Sequence, residues 1–325
     1  MINLLSAQFS RLLKNKFFYA SLIFFAAMGA LYTALNLYYV VLNVKFASLV
    51  SDHESLANLY QTCINADQLM YSDFYVFLIV AALLTSLFIG RDLDNNTVRN
   101  QVITGHSRAE IYLSNLIVCA ASQIIMHAVY CVIIFIPSFI VYMKFRSTDY
   151  PLTLFQNSFA DNVVIQLIGV GIILAGTSVY LFLTTMSGSR ARAVTSSILA
   201  LFVMIILSQR ASQEMYQPDE YQDAFVYEYY DPLETADTPD YSYDPYYGYD
   251  SNTAYMESFR GNKLSKAEFL IFGTIDDALP TSHAMYTLNS DRLPPRAGKY
   301  LLCDLFFSAV LNACGIAVFS RRDLK

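Results

Sequence analysis

The 325-residue sequence predicts an all-α membrane protein with six transmembrane helices, an interfacial helix at its start, both termini in the cytoplasm and a large extracellular segment between spans five and six. Three observations lead there. Hydrophobic residues make up 55% of the chain and charged residues only 15%, with a mean hydropathy of +0.37; a soluble domain carries about 25% charged residues. The apolar residues fall in runs of about a bilayer's length. Basic residues collect in alternate connections.

Residues 2–16 place Leu5, Phe9, Leu12 and Leu13 on one face and Arg11, Lys14 and Lys16 on or near the other, as in a helix lying in the membrane interface. The first span, 17–42, has no charge and is too long for a cleavable signal peptide, so it reads as a retained anchor. A short acidic connection leads to a second span at 74–90 and a polar loop at 91–110. The third apolar run, 111–143, exceeds one membrane thickness, so its first turns stand in cytosol or Pro137 bends its outer end. The fourth span, 162–186, carries Gly169, Gly171 and Gly176, marking a face for close helix approach. A basic turn at 187–192 precedes a fifth span at 193–208. These elements make residues 1–208 a membrane domain, and a sixth span with a basic tail closes the chain at 300–325.

Between them, residues 209–299 hold 16 acidic and 7 basic side chains, leaving 14 basic and 11 acidic for the remainder. Eleven tyrosines crowd 216–255, a stretch without periodicity. Short helices are predicted at 264–279, opened by a Ser265–Glu268 capping box and stopped by Pro280, and at 281–288. The N-terminus, the 91–110 loop, the 187–193 turn and the tail carry 3, 3, 2 and 3 basic residues, against 1 and 2 in the two short opposite loops, where Lys144 and Arg146 dissent. The positive-inside rule therefore puts the first set in the cytoplasm.

Little in the chain points to catalysis. No GxxxxGK[ST] loop occurs, so ATP hydrolysis by this chain is not expected, and HExxH and GxSxG are absent. Without a basic stripe, nucleic acid is not an expected partner. Five cysteines with no CxxC argue against a zinc site, though Cys63 and Cys303 could both face the outer side and pair. Asp240, Asp244 and Asp250 do not match a calcium loop and read as a solvated acidic face. His127 lies mid-span, where an ionisable group is a functional candidate; the plainer reading is a neutral imidazole bonded to a neighbouring helix. Asp304 is expected to reach the interface near the outer end of the last span.

The most patterned polar stretch is GRDLDNNTVRNQVITGHSRAEIYLSN, residues 90–115. Asn96 or Thr97 can cap a short helix with Val98, Val102 and Ile103 on one face and Arg99, Asn100 and Gln101 on the other; Gly105 is its stop. Ser107 to Glu110 reads as a capping box opening the next helix. Two capped helices in so few residues are more structure than a connector needs.

This layout resembles the membrane-spanning subunit of ATP-binding-cassette exporters, the ABC type-2 permease family of bacteria. The resemblance rests on the amphipathic start, on Thr97, Arg99-Asn100 and Gly105-His106-Ser107-Arg108 after the second span, on DALPTSHAMY (277–286) and on the closing GIAVFSRRDLK. It implies a bacterial plasma-membrane exporter of a peptide, lipid or drug-like substrate. Two permease subunits pair, as homodimer or heterodimer, and each docks a separate cytoplasmic ATPase that binds the ATP and Mg; this chain holds no cofactor. The ATPase-coupling residues would be Asp94, Thr97, Arg99, Asn100, Gln101, Gly105, Ser107, Arg108 and Glu110. The 91-residue outer segment departs from compact members. The alternative from another class is a non-transporting receptor or immunity protein that binds a peptide through its acidic, tyrosine-rich ectodomain.

Overall fold

The computed structural model describes residues 1–47, 64–145, 152–215, 266–289 and 297–321. Cys63 and the tyrosine-rich stretch 216–255 lie outside the described residues, as does Ser265 of the second capping box. Eleven helices account for nearly all of what is described: α1 (Ile2–Leu13), α2 (Lys16–Ala47), α3 (Ala66–Tyr71), α4 (Phe74–Asp94), α5 (Thr97–Ile103), α6 (Arg108–Phe145), α7 (Phe159–Ser187), α8 (Arg190–Met215), α9 (Lys266–Ala278), α10 (Pro280–Asn289) and α11 (Ala297–Arg321). Six helices are long and apolar enough to cross a membrane: α2, α4 with α3 before it, α6, α7, α8 and α11.

Helix ends follow local chemistry. Asn15 accepts the Phe17 amide through Oδ1 at 3.0 Å and opens α2. Ser158 Oγ accepts the Asp161 amide at 3.2 Å and opens α7, and Gly188, at φ 72, closes it in the left-handed conformation that costs glycine little. Pro137 does not divide α6, which runs unbroken for 38 residues, about 57 Å at 1.5 Å per residue. The expected fifth span gains at both ends, since α8 starts at Arg190 and runs to Met215. Helix α9 ends at Ala278, ahead of Pro280 as expected, and Pro280 is also the first residue of α10, where its missing amide would have had no helical partner.

Helices α4 and α7 form the centre: 67% of each apolar window is buried, against 17–28% for the other four spans. Glycines let them meet. A Cβ on Gly169 would run into the Phe74 ring and one on Gly176 into Leu78, both on α4. Gly171, expected on the same face, instead turns to Leu301 and Asp304 of α11. The three glycines thus serve two interfaces. Helix α8 packs on α4 and α7, α11 on α7, and α2 chiefly on α6.

At one end of the bundle α1 packs against α6. At the other, Asp67 accepts the Gln156 and Asn157 amides at 3.0 and 2.8 Å, tying α3 to the segment before α7. The α9–α10 hairpin also sits at this far end. There Thr281 donates to the Met204 carbonyl at 3.1 Å and pairs with Ser208, sinking α10 against α8.

Candidate coupling surface

The polar stretch after α4 forms the first short helix expected of it, with changes in detail. Residues 91–94 continue α4 and Arg108 and Glu110 belong to α6, so the connection proper is 95–107. Asn96 makes no side-chain cap; its backbone turns left-handed, φ 54, which asparagine tolerates better than most residues. Thr97 is then the first residue of α5. Val98 is buried and Val102 packs on the core beside it. Ile103 does not join them: it is 72% exposed, with Arg99 and Asn100 outward as expected. Gln101 is half-buried rather than outward, and its Oε1 is sealed off without a partner.

Gly105 stops the helix at φ 94. The capping box then closes reciprocally: Glu110 accepts the Ser107 amide at 3.1 Å, and Ser107 Oγ accepts the Glu110 amide at 3.2 Å. Two otherwise orphaned amides are satisfied locally.

Bonds from the helix ends on either side of this connection reach three other parts of the chain. The Arg11 guanidinium of α1 grips both oxygens of Asp92, with Nη1 at 2.8 Å, while also donating to Gln8 and lying 5.7 Å over the Phe88 ring. Burial, and then the charge of Arg91, lower the pKa of Arg11 from its ordinary value. Asp94 accepts the Arg190 amide at 3.1 Å, at the start of α8. Arg108 donates to the carbonyls of Phe319 and Ser320 at 3.2 and 3.0 Å, at the end of α11. The amino group of Met1 lies 3.7 Å from Glu110. One end of the bundle therefore gathers α1, the α4–α6 connection, the α7–α8 turn and the last turn of α11.

Sequence reasoning missed Gln8, Arg11 and Asp92 as parts of this surface. The helical wheel put Arg11 on the solvent side with Lys14, whereas the buried stripe is Leu4, Gln8 and Leu12, and Leu13 is exposed. An arginine one turn from a glutamine on a buried face was the available signal.

A second polar group lies at the far end. Asp73 and His127 are both buried; Nδ1 approaches Asp73 Oδ2 at 2.9 Å, and Nε2 lies 2.5 Å from Gln166 Oε1 of α7. The histidine is thus bonded to two neighbouring helices. Cys131 Sγ is 3.6 Å from Nε2. Asp304 does not reach the interface as expected. It is fully buried, with Oδ1 3.0 Å from Nδ1 of an equally buried His283 on α10. Among the described residues no three histidine, cysteine or acidic side chains converge as a metal site.

Neither family models nor curated proteins match this chain.

Proposed function

We propose that the chain is the permease subunit of an ABC exporter, with α5 as the helix that receives movement from a cytoplasmic ATPase. The observation that carries the reading is the build of α5. It is a seven-residue helix held from beneath by Val98 and Val102, presenting Arg99, Asn100 and a bare Ile103 outward. A largely exposed isoleucine on the same helix as an outward cation and amide is a poor solvent surface and a good docking surface. Push applied there enters α4 and α6 directly, and reaches α1, α8 and α11 through Asp92, Asp94 and Arg108.

In this reading both termini and α5 face the cytoplasm of a bacterial cell, and the acidic segment between α8 and α9 lies outside. Two such subunits pair in the plasma membrane, their remaining apolar surface lies in lipid, and ATP with Mg is bound by the partner ATPases. The chain itself carries no ATPase site. The substrate is a peptide, lipid or drug-like molecule.

Isolation from the native membrane in mild detergent tests this. A nucleotide-binding ATPase is expected in stoichiometric amount, and Arg99→Glu combined with Ile103→Asp should release it. A chain that purifies with no such partner contradicts the reading and favours the receptor alternative.

A further inference from the structure

We propose that Asp73, His127 and Gln166 form a proton-binding site at the far end of the membrane domain, one that holds a single proton while the bundle is closed. The inference rests on the membrane-spanning architecture and not on the ATPase partner.

Three helices build the site. Asp73 stands at the N-terminal boundary of α4 but does not cap it: its carboxyl is turned sideways to His127 on α6. Counting 21 residues from Asp73 to the α5 end of α4 puts the carboxyl about 30 Å away, the thickness of a hydrocarbon core. Gln166 reaches from α7 to the other ring nitrogen. Phe74 and Phe77 close over the ring, with centroids 5.1 and 5.4 Å from it. Asp73 Oδ1 is buried without a partner.

Charge counting decides how many protons the closed site can hold. With none, Asp73 is a bare carboxylate beside a neutral ring, sealed from water, and such a charge is expensive to leave uncompensated. With one, the pair is neutral overall, whether the proton sits on the ring or the carboxyl. With two, an imidazolium faces a neutral acid and the cost returns with opposite sign. The neighbouring titratable groups do not alter this count. From α6 they are Cys131 and Tyr130, the latter hydroxyl shared between Ser72 and the Leu69 carbonyl. From α3 they are Tyr71 and Asp67, the latter held by the Gln156 and Asn157 amides; from α7 it is Asp161, bonded to Ser158. Among the described residues no lysine or arginine pairs with Asp73.

Gln166 suits either state of the ring. Its Oε1 accepts from an imidazolium; with the amide turned over, its N–H donates to Nε2 of a neutral ring whose Nδ1–H serves Asp73. The residue can follow the proton without leaving the site. Because uncovering either lone charge needs water, proton exchange should accompany separation of α4, α6 and α7.

Nitrogen NMR of histidine-labelled protein in lipid bilayers tests this on the full chain, with His127→Gln used only to assign the ring signals. The expected result is that the pair keeps its one proton, read as an imidazolium ring at His127, from mildly acid to mildly alkaline pH. Asp73→Asn should weaken its hold on the proton by at least about tenfold, one pH unit. Asp161→Asn should leave the ring signal as in the wild type. If Asp73→Asn fails to fold, the wild-type pH series still decides. A wild-type ring that loses its proton within this range, leaving a neutral imidazole beside an ionised Asp73, overturns the proposal and leaves the cluster as a fixed structural tie.

Discussion

The two ends of the helix bundle solve the same electrostatic problem in opposite ways. At the α5 end, charges are shared out to near neighbours and to water. Glu110 bonds the amide three residues back, Asp94 an amide at the next helix start, and Arg108 two carbonyls at the end of α11. At the far end, carboxylates are taken inside and matched with histidines, Asp73 with His127 and Asp304 with His283, all nine-tenths or more buried. The first end is suited to being gripped and moved. The second is suited to staying shut until something changes its charge. Arg11 and Asp92 are the exception that sharpens the contrast: they form a buried pair at the otherwise open end, with the arginine still a third exposed.

Breaking the far end should cost most. Asp73→Ala strands His127 inside the bundle, and a loss of about 3 kcal/mol is expected, read as unfolding in mixed detergent micelles. Asp92→Ala should cost less, about 2 kcal/mol, because the freed Arg11 can turn to water. Combining it with Arg11→Ala should add little, a double-mutant cycle that isolates the pair. Gly105→Ala meets no neighbour within 4 Å. Its expected cost of about 1 kcal/mol is therefore backbone strain at positive φ. Arg99→Glu should change stability by less than about 0.5 kcal/mol while abolishing ATPase coupling. If instead it unfolds the protein as badly as Asp73→Ala does, the two ends do not differ as described.

What the sequence disclosed and what it hid follow the same division. Six apolar runs were legible because each is set by the bilayer's thickness and by few charges. The Ser107–Glu110 box was legible because all its bonds lie within four residues. Ile103 was misassigned because a seven-residue helix gives too few turns to fix its buried edge: Val98 and Val102 hold that edge one turn apart, and the next residue swings about 100° away. Arg11 was misplaced for a different reason, since its partner lies 81 positions along the chain and no helical wheel contains it. Asp304 likewise meets His283 only because α10 folds back onto α11. Local chemistry could be read; pairings made by helix packing could not.

The central claim is that α5 faces the compartment holding the ATPase. Asn100, exposed on that helix, can be replaced by cysteine in a chain whose own cysteines are changed to alanine or serine. It can then be challenged with a membrane-impermeant thiol reagent. Intact cells should leave position 100 unlabelled and inside-out vesicles should label it fully; labelling from outside in intact cells would contradict the account.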